Sequence, residues 1–403
     1  MENTPKSLRL QIALFGRTNV GKSSFLNLIS GQDVAITSPV PGTTTDVVEK
    51  AMELLPLGPV VFLDTAGIDD VTELGAERVK RSMRVFNRAD IAVILCEAGC
   101  WGAPEETILA EAEEHKIPVV AVVNKCDLQE PDAAFLARLK EAGVKSAVAV
   151  SSVHREKREN YIADFKRALI ENVPEDFIVT PPLIGDLVKP GGLVVLIVPI
   201  DLQAPKGRLI LPQVQTLREL LDKKCLVMSV TTDQLIPALA VLKKAPKLII
   251  TDSQVFGYVY ENKPAESMLT SFSVLFAAYK GDLPYYVQGA GHIESLNAHS
   301  RVLIAECCTH APLKEDIGRE KIPRMLRKRF GDSLAVDIVS GTDFPEDLSG
   351  YDLIIQCGAC MFNRKYVMSR IERAREQGVP MTNYGVTIAH LTGILDKISM
   401  PEA

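Results

Sequence analysis

"GRTNVGKSS", residues 16–24, decides the fold of the first part of this chain. It carries the pattern G-x-x-x-x-G-K-S from Gly16 to Ser23. An apolar run, "LRLQIALFG" (8–16), leads into it, and a helical pattern, "GKSSFLNLIS" (21–30), leaves it. A strand, a glycine-bearing loop and a helix in that order present backbone N–H groups to phosphates, and the helix N-terminus adds partial positive charge. Lys22 is placed to reach the β- and γ-phosphates, and the Ser23 hydroxyl to bind Mg²⁺. Gly16, Asn19, Val20, Gly21 and Ser24 complete the phosphate loop.

Outward from this loop, strand-like runs alternate with charged helical segments. "VVFLDTAG" (60–67), "IAVILCEA" (91–98), "PVVAVVNKCD" (118–127) and "SAVAVSS" (146–152) are the runs. The alternation predicts a largely parallel sheet covered on both faces, with ligands at the carboxyl ends of its strands. At those ends lie the remaining parts of a nucleotide switch. In "DTAG", Asp64 is expected to hold Mg²⁺ through its water shell, and the Gly67 N–H to sense the γ-phosphate. In "PGTTTD" (41–46), one of Thr43, Thr44 or Thr45 is expected to close onto Mg²⁺, with Thr44 preferred. In "NKCD", the Asp127 carboxylate matches the paired donors of guanine, which adenine lacks. Asn124 joins the loops, Lys125 lies along the base, and Ser151 and Ser152 offer a backbone contact to guanine O6. Together these parts predict GTP as the ligand. Ile68 stands where many GTPases carry a water-orienting glutamine, so slow hydrolysis is expected.

Beyond residue 174 the pattern continues in smaller units. Prolines in "PEDFIVTPPL" (174–183) suggest a boundary, giving a first domain over 1–174, a second over 175–262 and a third over 263–403. Both later parts read as strand and helix in alternation. The expected class is therefore α/β, an N-terminal P-loop GTPase domain followed by two smaller α/β domains with mainly parallel sheets. "ENKPAESMLTSFSVLFAAYKGDL" (261–283) reads as one amphipathic helix, and no internal repeat is visible. Lys206 and Arg208 form a basic pair in the loop "APKGRLILPQVQ" (204–215).

The chain has 403 residues, 47% of them apolar, and a net charge of −6. That balance gives no reason to expect nucleic acid or an anionic membrane as partner. No run approaches the roughly 20 apolar residues of a spanning helix, and the first residues do not read as a secretory signal. A cytoplasmic location follows, and with it an expectation that the eight cysteines do not form a disulfide framework. Cys96, Cys126 and Cys225 read as small buried hydrophobes.

The C-terminal thiols need another account. "RVLIAECCTH" (301–310) ends an apolar run with Cys307, Cys308 and His310, and "DLIIQCGACM" (352–361) ends another with Cys357 and Cys360. In a parallel sheet both groups would emerge at one edge. An iron–sulfur cluster, a closed zinc site, a redox thiol pair and buried structural thiols all remain open for them.

The G domain resembles the TrmE–Era branch of GTPases, including "PGTTTD" and Asn19. The resemblance implies K⁺ coordination by Asn19 and K⁺-stimulated hydrolysis. Over its whole length the chain resembles the HydF family, GTPases that act as scaffolds in maturing [FeFe]-hydrogenase. "APKGRLILPQVQ", "GHIESLNAHSRVLIAECCTHAP" and "CGACMFNRKYV" carry that resemblance. It implies a dimerisation domain over 175–262 and a cluster domain over 263–403. It further implies a [4Fe–4S] cluster on Cys308, Cys357 and Cys360, with His310 matching the histidine of the family's CxH motif. Homodimers, radical-SAM maturation enzymes and apo-[FeFe]-hydrogenase are the implied partners. Many relatives have histidine before the CxxC, whereas this chain has Gln356, which cannot be an imidazole ligand. Cys307 matches no ligand position, and His292 and His299 read as structural. An Era-like RNA- or ribosome-associated GTPase with a structural zinc is the competing expectation.

Overall fold

The computed structural model describes residues 5–31, 47–69, 79, 82–174, 177, 181–199, 209–307 and 316–401. The chain forms two compact units, residues 1–180 and 181–403.

The first unit is built on β1 (Leu10–Gly16), β2 (Val48–Leu54), β3 (Gly58–Asp64), β4 (Ile91–Glu97), β5 (Val119–Asn124) and β6 (Ser146–Ala149). Their order in the sheet is β2-β3-β1-β4-β5-β6, parallel except for the antiparallel edge strand β2. Every residue of β1 is buried, as a central strand covered on both faces requires. Its side chains alternate between two cores. Leu10, Ile12 and Leu14 pack with helices α1 (Lys22–Ser30) and, later in the chain, the one over Arg158–Glu171. Ala13 and Phe15 pack with α2 (Ala103–Glu114) and α3 (Ala133–Glu141) on the other face. Arg158–Glu171 is α4, and its fully buried Phe165 meets Phe25 of α1 edge to face, with ring centroids 5.0 Å apart. Burying a side chain of that size stabilises by roughly 1.5–3 kcal/mol.

The second unit holds two four-stranded parallel sheets. The first comprises β7 (Leu193–Ile197), β8 (Leu226–Val230), β9 (Leu248–Thr251) and β10 (Met268–Ser271), in the order β10-β9-β7-β8. The second comprises β11 (Arg301–Ala305), β12 (Ala335–Val339), β13 (Leu353–Gln356) and β14 (Met381–Asn383), in the order β12-β11-β13-β14. Numbered within each sheet, both orders are 4-3-1-2. The two halves of this unit thus share one topology, a repeat not visible in their side chains. Helices α5 (Leu211–Asp222), α6 (Leu235–Val241), α7 (Phe256–Asn262) and α8 (Phe272–Lys280) accompany the first sheet. Helices α9 (Leu283–Gly291), α10 (Ile322–Phe330), α11 (Arg364–Glu376) and α12 (Tyr384–Leu391) accompany the second. One continuous apolar core runs from Val195 and Ile249 to Val302, Ile304 and Ile354, so both sheets belong to one body.

The single helix expected over 261–283 is not formed. α7 ends at Asn262, and Pro264, lacking an N–H, follows. Met268–Ser271 then pair with Leu248–Thr251 as β10, and Ser271 caps α8 by accepting from the Val274 N–H at 3.2 Å. The sheet of β7 to β10 therefore draws an edge strand from beyond residue 262. Lys206 and Arg208 lie outside the described residues.

Candidate functional site

The carboxyl ends of β1, β3, β5 and β6 gather the nucleotide residues. Gly21 has φ +97°, and a Cβ there would lie 2.4 Å from Asn124 Nδ2. Only glycine fits, because the Asn124 amide crosses this point to donate to the Val20 carbonyl at 2.9 Å. Asn124 Oδ1 in turn accepts from the Ser152 hydroxyl at 2.9 Å and from its N–H at 3.3 Å. The buried asparagine thus ties the phosphate loop to the loop after β6. The Ser151 hydroxyl donates to Asp127 at 2.6 Å and holds that exposed carboxylate below its usual range. Lys125, at φ +59°, pairs with Glu97 at 2.6 Å.

Lys22 Nζ donates to the Gly16 and Arg17 carbonyls at 2.7 and 2.9 Å, inside the loop it serves. Burial pushes its ammonium down to about 8, against the pull of Asp64 and Asp69. Asp64 is 3% exposed, and burial pushes its carboxyl up to about 6, with Lys22, Lys50 and a Ser23 hydrogen bond pulling back. Among the described residues, Asp64 Oδ1 is buried with no hydrogen-bond partner. An orphaned carboxylate oxygen beside the Ser23 hydroxyl suits a hydrated Mg²⁺, which coordinates oxygen and keeps several waters. At Gly67 a Cβ would lie 2.3 Å from Thr18 Oγ1, so only glycine lets the backbone come this close to the phosphate loop. Ile68 packs into the apolar layer beneath the sheet rather than pointing a polar group at the loop. Thr43, Thr44 and Thr45 lie outside the described residues.

Two supports of this loop were not legible in its motif. Arg17 makes a two-pronged ion pair with the fully buried Glu105 of α2, at 2.7 and 2.8 Å. The Asp69 carboxylate accepts from the Thr18 N–H and hydroxyl at 2.6 and 2.8 Å. Asn19 is exposed, with φ +61°, a left-handed conformation that asparagine tolerates better than most residues.

The thiols form a separate group. β11 and β13 are parallel neighbours with Ala305 opposite Gln356, so the residues after each strand leave the same sheet edge. The Cys307 N–H donates to Cys357 Sγ at 3.1 Å, and the Ala359 N–H to the same sulfur at 3.4 Å. Cys307 is 3% exposed. Burial by itself would push its thiol up, but hydrogen bonds with Cys357 and Gln356 and the Arg370 charge hold it below the usual range. The CxxC loop is anchored by Lys280, at the end of α8. Its ammonium, 1% exposed, donates to the carbonyls of Ala359, Cys360 and Phe362 at 3.0, 3.1 and 2.8 Å. Arg364 grips α8 in return, donating to the Tyr279 and Gly281 carbonyls at 3.1 and 3.0 Å.

Sulfur that accepts several N–H groups, with buried cations nearby, suits thiolate ligands of a metal centre. Cys308 and His310 lie outside the described residues, and among the described ones no cluster of three metal-binding side chains is assembled. None of the described cysteines forms a disulfide. His292 and His299 are exposed and precede β11, whereas the thiols follow it. Five residues of strand at about 3.3 Å each separate the two ends. No described helix is long and apolar enough to cross a membrane.

Comparison with known proteins divides the chain in three. Residues 11–125 match the model of the 50S ribosome-binding GTPase family. Residues 183–281 match the hydrogen maturase F dimerization domain, and residues 284–401 the hydrogen maturase F tetramerization domain. The tRNA modification GTPase MnmE of Synechococcus sp. (strain JA-2-3B'a(2-13)) is 42% identical over 127 residues, 30% of this chain and 27% of that protein. The MnmE of Picosynechococcus sp. (strain ATCC 27264 / PCC 7002 / PR-6) is 39% identical over 145 residues, covering 35% and 31%. The chain therefore spans less than a third of the length of these relatives. Aquifex aeolicus Era bound to GDP.AlF4- has a TM-score of 0.37 and 20% identity, over 55% of this chain and 92% of that one.

Proposed function

This chain belongs to the hydrogen maturase F family of GTP-binding hydrogenase-maturation GTPases, and from that premise we propose that it is a GTP-hydrolysing scaffold carrying a [4Fe–4S] cluster. Cys308, Cys357 and Cys360 would hold the cluster. Its fourth iron, bound by His310 or left exchangeable, supplies an attachment point for a diiron precursor. The precursor is cargo: it arrives from radical-SAM maturation enzymes and leaves for apo-[FeFe]-hydrogenase. GTP and Mg²⁺ at Lys22, Ser23, Thr44, Asp64 and Gly67 would regulate those encounters, and the chain would work as a homodimer in the cytoplasm.

The observation that carries this reading is the parallel pairing of β11 with β13, which ends the two strands leading towards the CxH and CxxC segments at one sheet edge. Anaerobic reconstitution with iron and sulfide tests it. About four irons per chain with no zinc is the expected content. Stoichiometric zinc without iron would instead favour the RNA-associated GTPase with a structural zinc.

Hydrolysis is expected to be slow, because Ile68 has no group to orient water, and to depend on K⁺ at Asn19. A cation beside the phosphates stabilises the charge of phosphoryl transfer, as an arginine finger does. GTP turnover should run roughly tenfold faster in KCl than in NaCl, a small part of the effect of such a finger. Asn19→Gly keeps the left-handed backbone and should erase the difference. Equal rates for the wild type in the two salts would remove K⁺ from the reading.

A further inference from the structure

Arg370, on α11, heads the fully buried side chains by volume, with 2% of its surface exposed. Its guanidinium lies over the rings of Phe344 and Tyr366, 4.8 and 4.7 Å from their centroids. It donates to the Gly341 carbonyl at 2.6 Å and the Tyr366 hydroxyl at 3.2 Å. Among the described residues no carboxylate pairs with it. Burying a guanidinium without an anion carries a heavy desolvation cost, so its remaining partners matter.

Those partners lead to the thiols. Nη1 donates to Gln356 Oε1 at 2.9 Å and approaches Cys307 Sγ at 3.4 Å. Gln356, 1% exposed, passes the polarisation on, its Nε2 lying 3.1 Å from Cys307 Sγ and 3.7 Å from Cys357 Sγ. A charged donor polarises the amide between it and the sulfurs, and hydrogen bonds in such a chain strengthen one another. Neutral buried thiols make no use of a cation held this way. Sulfurs carrying negative charge do.

We propose that Arg370 and Gln356 are positioning residues that stabilise the negative charge of the centre bound at Cys357 and so raise its reduction potential. The inference rests on the cluster reading above. Dithionite donates one electron per cluster, the cluster is reduced by that electron, and dithionite is oxidised. The added negative charge would sit near a cation in a water-excluded setting, where attraction is strong. Hydrogen bonds to the ligating sulfur act in the same direction. Gln356, unable to bind iron as an imidazole, contributes as a donor instead.

The test is an EPR-monitored dithionite titration of the full-length, anaerobically reconstituted protein. Wild type, Arg370→Lys, Arg370→Gln and Gln356→Leu are compared, with iron content measured for each. Arg370→Gln and Gln356→Leu should load iron and titrate at more negative midpoints, whereas Arg370→Lys, which keeps the charge, should stay nearer wild type. Should the Arg370 variants fail to fold, Gln356→Leu alone decides. Iron-loaded Gln356→Leu titrating at the wild-type midpoint overturns the inference and leaves the cluster reading intact. A wild type that takes up no cluster overturns both.

Discussion

Replacing Lys22 by alanine is expected to lower GTP turnover by on the order of 100- to 1000-fold, the scale for removing one preorganised charged donor from a transition state. The expectation comes from where the ammonium sits. It is held by the Gly16 and Arg17 carbonyls of its own loop, so it is aimed before any phosphate arrives. Burial that pushes it down to about 8 marks a site in which the charge is poorly solvated. Phosphate oxygens then replace missing water, and the electrostatic return is large for the same reason. The Asn124 and Asp127 side chains keep their own partners, so guanine recognition should survive in part. Single-turnover hydrolysis measured beside equilibrium binding of a fluorescent GDP separates the two effects. Turnover within threefold of wild type would contradict the assignment of Lys22.

Changing Cys357 to serine should abolish cluster binding, and Cys360→Ser should do the same. The hydroxyl of serine is a poor match for iron that thiolates hold, and Cys357 Sγ is also the acceptor for the Cys307 and Ala359 amides. Iron per chain should fall from about four to near zero, with loss of the reduced-cluster EPR signal. Circular dichroism should be unchanged, since Cys357 only borders the apolar core that runs between the two sheets and serine is nearly the same size. A full cluster signal in both variants would refute these ligands. Cys307→Ser is the informative contrast. Its sulfur supports the site from behind, so it should keep iron that the other two lose.

Much of the first domain was legible because its chemistry is written in contiguous residues. Gly16 to Ser23, Asp64 to Gly67 and Asn124 to Asp127 each sit at a strand end, and each strand announces itself as a continuous apolar run. The supports of those motifs were not legible. Glu105 looks like an ordinary acidic residue of an exposed helix, and only the fold brings it to Arg17. Arg370, midway along a charged helix, and Lys280, at the end of an apolar one, carry no local mark of burial, yet both are buried against segments distant in sequence. The stretch around Met268 misled for another reason. A short apolar run fits strand and helix alike, and the Leu248–Thr251 partner that selects strand is not a local signal. The common 4-3-1-2 order of the last two sheets has no local mark in the sequence, because strand order is set by backbone pairing between segments far apart in the chain.

The grip of Lys280 on the CxxC loop bears on how this protein can be taken apart. A fragment starting at residue 284, where the last family match begins, retains β11 to β14 and the thiols of Cys357 and Cys360. It leaves behind the ammonium that satisfies three loop carbonyls, and the two carbonyls that Arg364 holds. Each buried polar group stripped of its partner costs about 1–3 kcal/mol. The CxxC loop is jointly held by two modules, and a fragment meant to keep its fold should begin upstream of α8.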